Sequence, residues 1–252
     1  MMQADFLTRK EMLTVMLECE TPETAIGRIR NANHLGADAY GLQVESLKPE
    51  YQNPAVYKKI FSEGKGRPFY VTYSCGKHNS GKTDEELAEG LITLAESGAV
   101  LCDVQGDMFC KHPEELTEDE TAIKKQMDLI DLLHKKGAQV LLSSHVKKFA
   151  PAERVLAIAF EQKRRGADII KIVTNAESME QQIENLRITD LLKRELDTPF
   201  LFLSGGICSL HRRLGIKLGC CMSLCVYEHD ALSTSMQPLL STMKTVRDII
   251  DF

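Results

Sequence analysis

No stretch of the sequence approaches the roughly 18–20 consecutive apolar residues that a membrane-spanning helix requires, so no membrane span is expected. No run of Lys and Arg offers a footprint for phosphate backbones, and the formal net charge is -5 with a pI near 5.9. Nucleic acid is therefore not an expected partner. Residues Met1 to Lys10 carry Asp5, Arg9 and Lys10 where a secretory signal needs an apolar core, which points to the cytoplasm. None of the eight cysteines (Cys19, Cys75, Cys102, Cys110, Cys208, Cys220, Cys221 and Cys225) forms a Cys-x-x-Cys pair. Structural zinc thus lacks a ligand framework, and reduced, mostly buried thiols are expected. No Gly-x-Gly-x-x-Gly follows the first apolar run, which removes the dinucleotide-binding open sheet.

What is present is a globular composition, 43% apolar and 27% charged over 252 residues, enough to bury a large core. One local pattern recurs. Leu35-Gly36-Ala37-Asp38, Ser97-Gly98-Ala99, Lys136-Gly137-Ala138 and Arg165-Gly166-Ala167-Asp168 each precede a short apolar run, and Leu218-Gly219 before Cys220-Cys221-Met222 is a looser copy. A glycine in the left-handed conformation closes a helix, and a strand follows at once. Helices fill the gaps. Thr21-Pro22-Glu23-Thr24 is a start signal, Thr83-Asp84-Glu85-Glu86 is a capping-box pattern within Ser80 to Ser97, and Thr117 to Lys136 and Pro151 to Arg165 read likewise. With Met12 to Leu17, Phe69 to Tyr73 and Phe200 to Leu203 added, eight short strands alternate with amphipathic helices. A parallel sheet buried on both faces follows, and eight units in this length predict one closed domain over residues 1–252, a (β/α)8 TIM barrel.

In such a barrel the reacting groups lie at the C-terminal ends of the strands. That rule selects Gln43 and Glu45, Tyr73 and Ser74, Asp103 and Gln105, Ser144 and His145, Lys171 and Ser204. Lys171 stands within Asp168-Ile169-Ile170-Lys171-Ile172-Val173, where burying an ammonium is costly unless it is paired or loses its proton. A neutral lysine attacks a carbonyl carbon to form an imine. The plainer alternative is a barrel-filling lysine salt-bridged to Asp103 or Glu45. His145, at the mouth end of the neighbouring strand, can take and return protons near neutral pH; a hydrogen-bonded structural histidine is the alternative. Ser204-Gly205-Gly206 could present backbone N–H groups to an anion or be a turn. The arginines of His211-Arg212-Arg213 could bind a carboxylate or be solvated. Ser233-Thr234-Ser235-Met236-Gln237-Pro238 has the composition of a polar lid or of a loop.

Taken in order, these pieces resemble type I 3-dehydroquinate dehydratase, a (β/α)8 lyase of the shikimate pathway that works through a lysine Schiff base. The likeness runs from about Met12 to the C-terminus. It rests on Gly36-Ala37-Asp38 before a strand ending Gln43-Val44-Glu45, on Ser143-Ser144-His145, and on Gly166-Ala167-Asp168-Ile169-Ile170-Lys171-Ile172. It continues through Leu203-Ser204-Gly205 with the following Arg-Leu-Gly, and ends in Ser233 and Gln237. The resemblance implies that Lys171 forms the imine with a small oxo-carboxylate substrate and that His145 shuttles the protons. It implies that an arginine clamps the carboxylate, Arg213 when counted from Ser204 or Arg212 when counted back from Gly215. Ser233 and Gln237 would sit on the lid. No cofactor and no metal are implied, and relatives suggest a homodimer.

The departures are equally specific. The family has a Glu-x-Arg pair at the end of its second strand, where this chain has Gly41-Leu42-Gln43. It has Arg after the aromatic of its third strand, where Ser74 follows Tyr73, and a Glu before paired glycines, where His78 precedes Asn79-Ser80-Gly81. A site built around substrate hydroxyls is sensitive to such changes. Gln43, Ser74, His78 and Gln105 are accordingly expected to be altered substrate contacts, around a preferred substrate that differs from dehydroquinate. Three other readings compete: a class I aldolase using Lys171, a divalent-metal isomerase with Glu45, Asp103 and His145 around the ion, and a barrel that binds a small acid without turnover.

Overall fold

Five glycine joints set the rhythm of the chain. Gly36, Gly98, Gly137, Gly166 and Gly219 take φ of 87°, 110°, 85°, 99° and 131°, the conformation that ends a helix without a Cβ clash. In the computed structural model, which describes residues 5–207, 209–233 and 236–250, each joint leads directly into a strand or its first residues. The strands are β1 (Met12–Leu17), β2 (Ala39–Gln43), β3 (Phe69–Thr72), β4 (Leu101–Gln105), β5 (Gln139–His145), β6 (Ile169–Ala176), β7 (Phe200–Gly206) and β8 (Met222–Cys225). Between and after them run α1 (Pro22–Leu35), α2 (Pro54–Ser62), α3 (Asp84–Glu96), α4 (Glu120–Lys135), α5 (Ala152–Arg164), α6 (Met179–Glu195), α7 (Ser209–Leu218) and α8 (Leu240–Ile249).

All strand pairs are parallel, in the order β7-β6-β5-β4-β3-β2-β1-β8. The seam between β7 and β8 is drawn together by a bond from the Cys221 N–H to the Phe200 carbonyl at 2.9 Å. The architecture is the expected single-layer (β/α)8 barrel inside a helical ring. All six residues of β1 are buried, because the barrel interior covers one face and the helices the other. Each fully buried Leu, Ile or Val there contributes roughly 1.5–3 kcal/mol.

The helix starts follow their caps. Thr21 accepts from the Thr24 N–H with Pro22 at the first helical position, and Thr83 and Glu86 form the expected reciprocal capping box. Several boundaries differ from the sequence expectation: α3 begins at Asp84 rather than Ser80, β3 ends at Thr72 rather than Tyr73, and β7 runs on to Gly206 rather than stopping at Leu203. Helix α4 begins at Glu120 rather than Thr117, because the Thr117 N–H bonds Gly106 and Asp119 supplies the cap to Ala122. The last strand is Met222–Cys225 rather than Cys220 to Met222; Cys220 is spent in closing α7, its N–H bonded to the Gly215 carbonyl at 3.0 Å. The described cysteines are free thiols, with Cys19, Cys102, Cys220 and Cys225 buried; Cys208 lies outside the described residues.

Register places the mouth residues. Ser143 pairs with Lys171 and Gln105 with Ser143. Side chains alternate faces along a strand, so Asp103 and Gln105, Ser143 and His145, and Lys171 project to the same side on three adjacent strands.

Candidate active site

A cavity of about 240 Å³ opens at the C-terminal mouth, and its wall includes Gln43, Glu45, Ser74, Gln105, His145 and Lys171. Lys171 is buried in this wall. It is 6% exposed, and its Nζ donates to Asp103 Oδ2 at 2.8 Å and to the Tyr70 hydroxyl at 3.0 Å. Tyr70 in turn donates to Asp103, and the Ser143 hydroxyl donates to the other carboxylate oxygen at 2.5 Å. Burial on its own would raise the Asp103 carboxyl, but the Lys171 charge and the donors from Lys171, Ser143 and Tyr70 reverse this and hold it below its ordinary value. Burial and the adjacent Asp103 charge push the Tyr70 phenol well above its usual range, so it remains a donor.

Of the two states open to a lysine at this depth, paired or neutral, the structure shows the paired one. Lys171 forms a buried ion pair with Asp103, one of the two partners weighed from sequence, because an unpaired ammonium at this depth would be too costly. The pair does not take it away from the histidine, since His145 lines the same cavity.

His145 Nδ1 is 2.6 Å from Glu115 Oε2. Burial would raise Glu115, yet its hydrogen bond and charge interaction with His145 leave it below the ordinary carboxylate value. An ionised carboxylate only accepts, so Nδ1 carries the hydrogen and Nε2 is left as the ring's second site. Glu45 is the opposite case. It is 7% exposed, and its bonds come from hydroxyl and backbone donors of Thr72 and Ser74 rather than from a cation. Burial dominates and raises its carboxyl above the usual value.

Among the sequence-selected contacts, Gln43, Ser74 and Gln105 lie on this wall. His78 does not; it is exposed in a short turn after β3. Arg213, half-buried on α7, is not among the lining residues, and Arg212 Nε donates to the Ser204 carbonyl at 2.9 Å. Ser233 and Gln237 line a separate small recess with Glu18 and Arg28, and the Ser233 hydroxyl accepts from the Asp230 N–H at 2.9 Å. Thr234 and Ser235 lie outside the described residues. Among the described residues, Glu45, Asp103 and His145 do not form a metal-holding cluster.

Glu115, Tyr70 and Ser143 are site residues that sequence reasoning missed. Tyr70 and Ser143 carried a signal: they alternate in phase with Thr72 and His145 on their strands, which implies the same barrel-facing side. Glu115 had none, being one of several acids in the irregular stretch between β4 and α4.

Comparisons with known proteins bear on the family and the fold. A profile of the family described as type I 3-dehydroquinase matches residues 13–251. A 3-dehydroquinate dehydratase from Geobacillus thermodenitrificans is 25% identical over 191 residues, a match covering 66% of this chain and 74% of that protein. Another, from Alkaliphilus oremlandii, is 34% identical over 94 residues, which is 36% of each protein. The crystal structure of 3-dehydroquinate dehydratase from Geobacillus kaustophilus matches with a TM-score of 0.81 at 16% identity, covering 95% of this chain and 91% of that one. The structural likeness speaks to the barrel; the profile, spanning almost the whole sequence, speaks to descent. The chain belongs to the type I 3-dehydroquinase family.

Proposed function

We propose that the protein is a lyase of the 3-dehydroquinate dehydratase type that removes water from a small oxo-acid through a Schiff base on Lys171. The observation that carries this reading is the shared cavity, in a chain of this family, of a buried lysine and a histidine with its own carboxylate partner.

The chemistry runs in balanced steps. His145 Nε2 first takes a proton from Lys171, whose Nζ attacks the substrate carbonyl carbon; that proton is returned to the carbinolamine hydroxyl, water leaves and a protonated imine forms. The positive charge stays on the same nitrogen, so Asp103 remains its counter-ion before and after the bond is made. That continuity keeps the buried carboxylate compensated throughout. His145 Nε2 then takes the proton from the carbon next to the imine, and the electron pair enters an enamine. The proton returns to the hydroxyl on the next carbon as that C–O bond breaks, releasing water. Hydrolysis of the imine frees the unsaturated product and restores Lys171.

Gln43 and Ser74 stand where the resemblance leads one to expect charged groups, and Gln105 lines the same cavity. A neutral wall of amides and a hydroxyl supports a preferred substrate other than dehydroquinate. The arginine clamp (Arg213 or Arg212), the lid residues Ser233 and Gln237, a homodimer and a cytoplasmic location belong to the same proposal and rest on the family resemblance.

Borohydride reduction in the presence of a panel of cyclic and linear oxo-acids, including 3-dehydroquinate, tests it. Mass spectrometry is expected to find a reduced adduct on Lys171 with at least one of them, and none in Lys171→Met. Absence of an adduct across the panel sinks the Schiff-base reading.

A further inference from the structure

We propose that Arg165 is a positioning residue for His145, acting at a distance through the loop of residues 106–119 and Glu115. The inference builds on His145 being the proton carrier, but its own foundation is a set of buried polar contacts behind the site.

Arg165 caps the C-terminal end of α5 and is 2% exposed. Removing a guanidinium from water is expensive, so the partners it takes are informative. Nη1 donates to the Gly106 carbonyl at 3.1 Å and to Gln126 Oε1 at 3.0 Å, while Nη2 donates to the Thr117 carbonyl at 2.6 Å. Nε is anchored on Glu161 Oε1 at 2.8 Å. Gly106 and Thr117 are the two ends of one loop, joined to each other by the Thr117 N–H on the Gly106 carbonyl at 3.0 Å. The planar fork thus clamps the neck of the loop from below, a geometry that a lysine ammonium does not reproduce.

The loop delivers Glu115. Its φ of 49° is left-handed for a residue with a Cβ, a conformation that persists only when its surroundings over-determine it. The surroundings are visible: the Ser144 hydroxyl donates to the Glu115 carbonyl at 2.8 Å, and the Glu115 N–H donates to the His112 carbonyl at 2.9 Å. A Cβ added at Gly106 would overlap that same Glu115 carbonyl oxygen, so the glycine is what lets the loop close. Gln162, three residues before Arg165 on the same helix, donates to the Ser144 hydroxyl at 2.9 Å and bonds both backbone groups of Lys171 at 3.1 Å. One end of α5 therefore braces the partner of the histidine and the strand of the lysine together.

The functional consequence is the tautomer of His145. With Glu115 seated, the neutral ring keeps its hydrogen on Nδ1 and offers the Nε2 lone pair as a base. A Glu115 that drifts leaves the ring free to carry its hydrogen on Nε2, where it cannot accept a proton.

Long-range ¹⁵N–¹H spectra of the imidazoles in the ¹⁵N-labelled full chain, recorded at a pH where they are neutral, read this without any substrate. His145 is assigned by its loss in His145→Gln. The wild type is expected to show the Nδ1–H form of His145. Arg165→Lys, which keeps the charge but not the fork, and Gly106→Ala, which leaves Arg165 intact, are both expected to move at least half of the His145 signal to the Nε2–H form. Glu115→Gln defines the end point with no carboxylate. Folding of each variant is checked by its backbone amide spectrum; if Arg165→Lys does not fold, Gly106→Ala decides. Folded variants that retain the wild-type tautomer, or a wild type already in the Nε2–H form, overturn the proposal. Failure to trap an adduct on Lys171 would instead strike the Schiff-base reading and leave this measurement standing.

Discussion

The Thr72 hydroxyl lies 2.9 and 3.0 Å from the two carboxylate oxygens of Glu45, at the wall of a cavity where the other acids, Asp103 and Glu115, each face a lysine or a histidine. Glu45 is thus a buried acid held by hydroxyl and amide donors instead of a cation, and its folded-state affinity for a proton is raised by that burial. Between the ordinary carboxylate value and the raised one, the unfolded chain has released a proton that the folded chain still holds. The folded form therefore loses stability as pH rises through that window. Glu45→Gln is expected to melt above the wild type at pH 8 and level with it at pH 4. Thermal scans at the two pH values check this, and equal melting at pH 8 refutes it. A stabilising substitution at this cavity wall would mean that the acid is kept at a cost in stability.

The Lys171–Asp103 pair has side chains 8% and 6% exposed, so solvent screens it little. Lys171→Met leaves a carboxylate buried beside a thioether, and the expected loss is about 3–5 kcal/mol in urea unfolding. The double variant Lys171→Met/Asp103→Asn is expected to regain more than half of it, because the stranded charge is gone. A double variant no more stable than the single one would show that the pair is not the cause.

His211 supplies a pH dependence of the other sign. Its ring is buried edge-on against Phe202, with Nε2 2.8 Å from the Thr189 hydroxyl. Burial, and then the charge of Arg212, push it down to about 4 from 6.5. The unfolded chain binds a proton in that interval and the folded chain does not, so stability present above about pH 6.5 drains away toward pH 4. Between pH 7 and pH 5 the wild type should lose on the order of 2 kcal/mol more than His211→Gln. Urea titrations at both pH values measure the difference; parallel behaviour of the two proteins disproves the assignment.

Two glycines far from the site have opposite expected effects. Gly137 takes φ of 85° with open space around a hypothetical Cβ, so Gly137→Ala should cost about 1–2 kcal/mol through the backbone alone. Gly27 sits exposed inside α1 with equally open space and no positive φ; Gly27→Ala should stabilise by about 0.5–1 kcal/mol. Chemical denaturation of the two variants settles both signs at once.

How far the sequence could be read follows from where each constraint is encoded. The barrel was legible because its joints are local: a glycine that must be left-handed stands next to the strand it starts, as in Gly166-Ala167-Asp168-Ile169. That Lys171 and His145 would line one cavity was legible because a polar residue within or at the end of an apolar strand stands out against its neighbours. Asp103 was visible as one of two partners for the lysine, but choosing it over Glu45 required knowing which strand Lys171 leans toward. Glu115 could not be read, since it comes within 2.6 Å of His145 only after a loop of irregular backbone closes. The placing of His78 failed for a related reason: sequence order put it beside the third strand, while the turn after β3 carries it outward to solvent.

Under the proposed Schiff-base reading, the crossbar from β6 to Tyr70 on β3 and Asp103 on β4 makes one nitrogen both a strut and a tool. Anything that inactivates it by deletion also loosens the barrel, so a dead lysine mutant conflates two kinds of damage. A reductively captured ligand does not: the secondary amine it leaves can still be cationic and can still span the staves. Labelled and unlabelled protein should then share one melting curve, and chemistry could be switched off with the scaffold untouched.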